Sequence, residues 1–251
     1  MPNLNTSPLF KLYTLKTSTF TLFNPSALAL IHLKNLKKMN KTIYIIRHGQ
    51  TDFNLRGIVQ GGSVDTSLNE TGRKQGAAFH NAYGHLPFEV VLTSTLKRTH
   101  ETVKAFIDDG IAWEQCPEIM EINWGDQEGK ETTPESRLEY KTVADAWHSG
   151  NYDAALTNGE TARELGDRVT MFVENLKQRS EELILVCAHG RTMRALMCVL
   201  KELPLLNMDD FSHSNTGLWL VTQEDDKFTF HKEYDTTHLL VEKEGGIVSL
   251  R

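Results

Sequence analysis

Two hydrophobic spacings alternate along this chain: short unbroken apolar runs, and stripes that recur every three or four residues. Residues 41–46 (KTIYII) form a β-branched apolar run of the kind that makes a buried strand. Residues 89–93 (EVVLT) and 183–187 (LILVC) read the same way. Gly-, Asn- and Ser-rich residues 57–69 read as a loop. Asn69 predicts an N-cap for a helix over 70–83 that buries Ala78, Phe79, Ala82 and Tyr83 and stops at Gly84. Leu96, Thr99, Val103, Phe106 and Ile107 recur at helical spacing and predict one helix closed by Gly110. Residues 133–149 have a polar helical pattern suited to a surface or lid segment. Ala162, Leu165, Val169, Phe172, Val173 and Leu176 make the clearest amphipathic helix, and residues 191–202 a mostly apolar one. Residues 217–222 and 228–230 read as two late strands joined through 224–227. Strands alternating with helices imply one α/β domain, a mostly parallel central sheet with helices on both faces.

This pattern starts only after residue 40. Residues 1–40 hold five lysines and no Asp, Glu, Gly or Arg, whereas residues 41–251 carry 22 basic and 33 acidic side chains. The whole-chain charge of −6 is therefore a basic leader attached to a body of −11. A secretory signal needs an apolar stretch of about 7–15 residues, but the best run here, Ala27 to Ile31, ends at His32. A transit peptide fits the basic, Ser-rich, acid-poor composition but is ordinarily Arg-rich. The expectation is a non-structural leader over 1–40 (disordered, transit-like, or a mis-assigned start with Met39 as the true one) before a domain at 41–251. An acidic body argues against a general nucleic-acid binder, whose affinity comes from surplus cations. Cys116, Cys187 and Cys198 are too few and too scattered for a disulfide framework, so a reducing compartment, the cytoplasm, is expected, with organellar targeting by residues 1–38 as the alternative. No apolar run approaches the ~20 residues of a membrane span.

The informative chemistry lies where two predicted strands end. The first runs into Arg47-His48-Gly49 and the later one into Ala188-His189-Gly190. Each places a histidine at the carboxyl end of a buried strand, the edge at which ligands bind in open α/β sheets. If the strands are neighbours, both imidazoles face one crevice. Several other histidines (His32, His80, His85, His148, His231) read as surface groups, and a lone strand-end histidine is ordinarily structural. Two in matched settings point to a site. The flanking residues are Arg47, Arg191 and Arg194 rather than carboxylates, which disfavours a metal and favours an anion. Arg98 follows the EVVLT strand, and guanidinium forks bind phosphoryl oxygens. Two His and two Arg suit phosphate-ester cleavage, with an imidazole nitrogen attacking phosphorus and a cationic cradle for its oxygens.

These residues resemble the signature of the histidine phosphatase superfamily, the phosphoglycerate mutase-like proteins. Arg47-His48-Gly49-Gln50-Thr51 with Asn54 resembles its first motif, and residues 64–72 its loop into the first helix. Ser94-Thr95-Leu96-Lys97-Arg98 with Thr102 resembles a Ser-Pro-Leu-x-Arg segment in which Thr95 stands where Pro is common. Glu121-Ile122-Asn123-Trp124-Gly125, Gly159-Glu160-Thr161, His189-Gly190 with Arg194, and Asn215-Thr216 follow in order, so the likeness runs across residues 42–240.

The resemblance implies roles. His48 would be the phosphorylated nucleophile. Arg47, Arg98 and His189 would complete the phosphate pocket, with Asn54 and the neighbourhood of Gln60, Gly61 and Asn215. Glu121 would protonate the leaving group; without the resemblance it is one acidic residue among 33. No metal and no cofactor is implied, and the partner is a small-molecule phosphate ester. Arg191 receives no role, and Arg194 is expected in a structural salt bridge. A homodimer is not legible. The mutases of this family carry a longer insertion that shields the phosphoenzyme from water. Here 37 polar-rich residues separate Glu121 from Gly159, without obvious paired arginines, which favours a phosphomonoesterase over a phosphomutase. A catalytically inactive phosphate-binding or interaction module is the third alternative. Specificity is expected from residues 55–66 and 126–158, with Trp113, Trp124, Trp147 and Tyr140 lining a pocket or packing in the core.

Overall fold

Strand β1 (Asn40–Arg47) is the axis of the fold, and the structure, a computed structural model, describes residues 40–243 and 246–251. Apart from Asn40, which opens β1, the expected leader lies outside the described residues. β1 pairs in parallel with β4 (Leu183–Ala188), with Ile46 opposite Cys187 and Arg47 opposite Ala188. That register brings the two His-Gly turns side by side. β4 pairs in parallel with β2 (Val90–Thr93), and β2 with β3 (Ala112–Gln115). On the other side β5 (Leu218–Glu224) runs antiparallel to β1, and β6 (Lys227–Asp235) antiparallel to β5. The order is β3-β2-β4-β1-β5-β6, so the parallel pairings run from the edge strand β3 to β1 and the late hairpin forms the other edge. A separate hairpin joins β7 (Leu240–Lys243) and β8 (Gly246–Ser249).

Both faces of the sheet are covered, as the unbroken apolar runs require. Ile43, Ile45, Ile184, Val186, Val90 and Leu92 share a core with α5 (Pro134–His148), α6 (Ala162–Gln178) and α7 (Gly190–Leu200). Ile46, Val91, Leu185 and Cys187 face the other way, against Phe79 of α2 (Glu70–Tyr83), Val103, and Phe106 of α4 (Lys104–Asp108). No helix among the described residues is long and apolar enough to cross a membrane.

Several expectations are corrected. The single helix over 96–107 is two, α3 (Lys97–Thr102) and α4, broken at Val103. The Thr102 hydroxyl donates back to the Arg98 carbonyl at 2.6 Å and accepts the Gly49 N–H at 2.8 Å. Back-bonding of this kind bends helices, and here it also ties α3 to the His48 loop. Ala82 and Tyr83 are half-buried rather than buried, and Gly84 ends α2 in an ordinary right-handed conformation. Three elements escaped the periodicity. One is the five-residue α1 (Asp52–Arg56), whose ends close through a Thr51–Asn54 capping box. Another is edge strand β3, whose four residues are all exposed and so show no apolar run. The third is the β7–β8 hairpin.

Candidate active site

The loop after β1 is held by backbone packing that leaves no room for side chains. A Cβ on Gly49 would lie 2.6 Å from the Gly72 carbonyl, and one on Gly72 would lie 2.1 Å from that of Gln50. The start of α2 therefore packs directly on the His48 loop. His48 is further fixed from both sides: its N–H donates to Ala188 O at 3.0 Å, and its carbonyl accepts from Asn215 Nδ2 at 2.8 Å.

The two strand-end histidines meet as the sequence suggests. Their ring centroids are 5.2 Å apart, and both rings are buried. His48 Nδ1 lies 2.7 Å from the Gly49 carbonyl. A carbonyl can only accept, so Nδ1 carries the proton and Nε2 keeps the lone pair. For His189 the assignment is reversed. Arg98 Nε donates to its Nδ1 at 3.1 Å, so Nε2 bears the proton and donates to Ser94 Oγ at 2.7 Å. Burial, then the Arg47 and Arg98 guanidiniums, hold His48 well below the usual imidazole range. Burial, then Arg98 and His48, do the same to His189. Both rings are neutral at neutral pH, and His48 presents a free nitrogen.

Arg98 is fully buried. Besides His189 it donates to Val64 O at 2.7 Å and Gly61 O at 3.1 Å, leaving two of its five N–H donors unspent. Burial pushes it down to about 10, still a cation. Arg47 touches His213 Nδ1 at 3.3 Å, and its Nε is buried without a partner. Neither guanidinium forms an ion pair with a described carboxylate. A buried cation without a counter-charge is costly, so buried Arg98, with half-buried Arg47 beside it, makes this a place suited to an anion.

Glu121 stands at the amino end of α7. Its Oε1 accepts from Thr192 N and Oγ1, each at 3.1 Å, and its Oε2 from Arg191 N at 3.2 Å. These are donors that a helix start leaves open, and His189, the N-cap residue, makes no capping bond of its own. Arg168 and Glu160 fix the strand of chain that carries Glu121. Arg168 pairs with Glu160 at 2.6 Å and donates to the carbonyls of Glu118 and Met120, while Glu160 accepts from Asn123 N. The Gly159-Glu160-Thr161 motif thus positions the carboxylate from outside the site.

A cavity of about 360 Å³ opens beside Arg47 and Glu121, and His48, Arg98 and His189 are not among its described lining residues. Arg47, Asn54, Gln60 and Glu121 line it, with Ile58, Val59, Gln127, Thr132, Ser136 and Leu156, which fall in the two segments expected to govern specificity. Trp124 and Tyr140 also line it; Trp147 is core, and Trp113 sits exposed on β3. Gly61 and Asn215 act behind the cavity, through the Arg98 and His48 contacts above. Arg194 pairs with Asp209 as expected.

Four residues had no role in the sequence reading. Ser94 stood in a quoted motif, unassigned. His213 lies two residues before Asn215, a positional hint that only the structure makes meaningful. Arg191 enters the cavity wall. Arg168, the partner of Glu160 in a quoted motif, leaves no local sequence signal.

The family model described as "Histidine phosphatase superfamily (branch 1)" matches residues 43–236. The chain belongs to that superfamily. Membership brings with it the phosphomonoesterase class of chemistry. An adenosylcobalamin/alpha-ribazole phosphatase of Salmonella typhimurium is 27% identical over 70% of this chain and 87% of its own. A 2,3-bisphosphoglycerate-dependent phosphoglycerate mutase of Bartonella henselae is 28% identical over 66% of this chain and 84% of its own. The crystal structure of the alpha-ribazole phosphatase from Shigella flexneri superposes with a TM-score of 0.68 at 24% identity, over 77% of this chain and 96% of that one.

Proposed function

We propose that this member of the histidine phosphatase superfamily hydrolyses a small phosphate monoester through a phosphohistidine on His48. The observation that carries the reading is a pair of guanidiniums, buried Arg98 and half-buried Arg47, that form no ion pair with a described carboxylate, beside a neutral imidazole whose Nε2 is free. In the first step His48 Nε2 attacks phosphorus and the phosphorus–ester oxygen bond breaks. The spare N–H groups of Arg47 and Arg98 take the equatorial oxygens, where charge builds. Glu121, in its protonated form, gives its proton to the departing alkoxide. In the second step water attacks phosphorus as the phosphorus–nitrogen bond breaks, Glu121 takes the water's proton, inorganic phosphate is released and neutral His48 is restored. His189 keeps Arg98 aimed through Nδ1. No metal and no cofactor enters this scheme.

The cover of the site favours water as the acceptor. Thr132, Ser136 and Arg137, at and before the start of α5, contribute polar side chains to the cavity wall, and a wet wall does not protect a phosphoenzyme from hydrolysis. The three cysteines are free, in keeping with a reducing compartment, the cytoplasm.

The test is to quench the enzyme during turnover of a ³²P-labelled monoester. An acid-labile, alkali-stable phosphoenzyme is expected, absent in His48→Ala. Phosphate release without it, or release abolished by excess chelator, overturns the mechanism. Isomerisation of 3-phosphoglycerate outrunning phosphate release would assign the same intermediate to a mutase.

A further inference from the structure

The cavity wall carries more positive charge than one phosphoryl group requires. Besides Arg47, three arginines line it: Arg137 on α5, and Arg191 and Arg194, one turn apart on α7. Glu121 is the one carboxylate among the described lining residues. Behind the wall, Asp209 is shared by Arg191 Nη1 at 2.9 Å and Arg194 Nη1, with His148 Nε2 at 3.4 Å. One carboxylate cannot neutralise two guanidiniums, so a positive charge remains. Arg137 adds another: it is exposed, and its side chain bonds to no described residue.

We propose that Arg137, Arg191 and Arg194 form a second anion subsite, so that the substrate is a phosphomonoester bearing another acidic group, a carboxylate or a further phosphate. This rests on the reading of Arg47, His48 and Arg98 as the phosphoryl site. Three features distinguish the cluster from an ordinary surface ion-pair group. The Arg194 Nε is buried and has no partner among the described residues, a donor left open on a residue that lines the cavity. Arg191 is fixed before any ligand arrives. Its guanidinium lies 5.5–5.9 Å from the ring centroids of Trp124, Tyr140 and Trp147, and it donates to the Tyr140 hydroxyl. Finally, the cluster occurs on a body of net charge −11, where three cations on one wall run against the general field. Burial first, then the neighbouring Arg191, lowers the basicity of Arg194. Trp124 and Tyr140 would flank the carbon skeleton between the two anionic ends.

The experiment measures binding of non-hydrolysable phosphonates to the full-length protein by calorimetry. Probes are ω-carboxyalkyl phosphonates and alkane bisphosphonates of two to five carbons, each against the alkyl phosphonate of equal length. At least one acid-tipped probe is expected to bind about tenfold tighter than its alkyl counterpart, a preference of ~1.4 kcal/mol. The better arm and chain length identify the second group and its distance from the phosphoryl site. That ratio should collapse in Arg194→Gln and also in Arg137→Gln, an exposed side chain whose loss removes no bond to the described fold. Equal binding of tipped and plain probes, or a preference untouched by both substitutions, overturns the subsite while leaving the phosphoryl site intact. Failure of every phosphonate, plain ones included, overturns the phosphoryl site and the subsite together.

Discussion

Arg98 shows what a single buried side chain has to satisfy here. Its three bonds, to His189, Gly61 and Val64, use a planar fork whose directions a lysine ammonium cannot reproduce. Arg98→Lys is therefore expected to lower kcat/KM by about 10²-fold or more, the loss typical of one removed charge-stabilising donor. Steady-state phosphate release checks it, and near wild-type turnover would remove Arg98 from the phosphate cradle. Gly61 is constrained as tightly. A Cβ there would lie 2.1 Å from Glu128 Oε1 and 2.5 Å from the Ile122 carbonyl. Gly61→Ala should cost about 1–3 kcal/mol through overpacking, read as a lowered denaturation midpoint. At this scale His48, His189, Arg47 and Arg98 were legible because strand ends and their following glycines can be read locally. Glu121 was reached only by resemblance, because its partners lie some 70 residues away on α7.

Among elements, the first turn of α7 joins fold and chemistry. The open N–H groups of Arg191 and Thr192 hold the Glu121 carboxylate, so the helix start orients the proton donor. Glu121→Gln keeps the shape and an accepting oxygen but has no proton to give. Esters with alkoxide leaving groups should slow by ~10²–10⁴-fold, and p-nitrophenyl phosphate, whose leaving group needs little protonation, far less. Equal slowing of both would assign Glu121 a purely structural role. Helices α2 and α6 could be read from caps and stripes, because both signals are local. The break at Val103 could not. It follows from a hydroxyl on α3 meeting the N–H of Gly49, 53 residues away in sequence. Strand β3 has no apolar run to read, since its side chains stay in solvent and pairing with β2 makes it a strand.

For the whole molecule, the neutral histidines set an acid limit. Burial first, then neighbouring guanidiniums, hold His213 at about 3; burial first, then Lys232, holds His238 at about 4, against Asp235, which raises it. His48 and His189 are depressed in the same direction. The unfolded chain takes up these protons near pH 6.5, whereas the native fold does so only at lower pH. Stability is therefore full above about pH 6.5 and is lost progressively as pH falls below it. The thermal midpoint should drop between pH 7.5 and 5, and saturating phosphate should restore part of it, by ~2.7 kcal/mol at a hundredfold excess over Kd. A midpoint that stays flat over that range would mean these imidazoles are not held neutral. The same field accounts for the charge arithmetic: a body of −11 binds an anion through a few cations drawn together at strand ends and on one cavity wall.

Sequence alone was sufficient for the α/β class, the two His-Gly strand ends and the phosphate-directed chemistry, because apolar runs, caps and strand-end motifs depend on neighbours a few residues apart. Tertiary folding settled what depends on distance through space. The β1–β4 register brings the imidazoles to 5.2 Å, and a bond to the Gly49 carbonyl and one from Arg98 fix which nitrogen of each ring carries the proton. The start of α7 receives Glu121, and arginines from α5 and α7 converge on one cavity. Proton placement and charge crowding are properties of groups brought together by packing, and local sequence does not encode them.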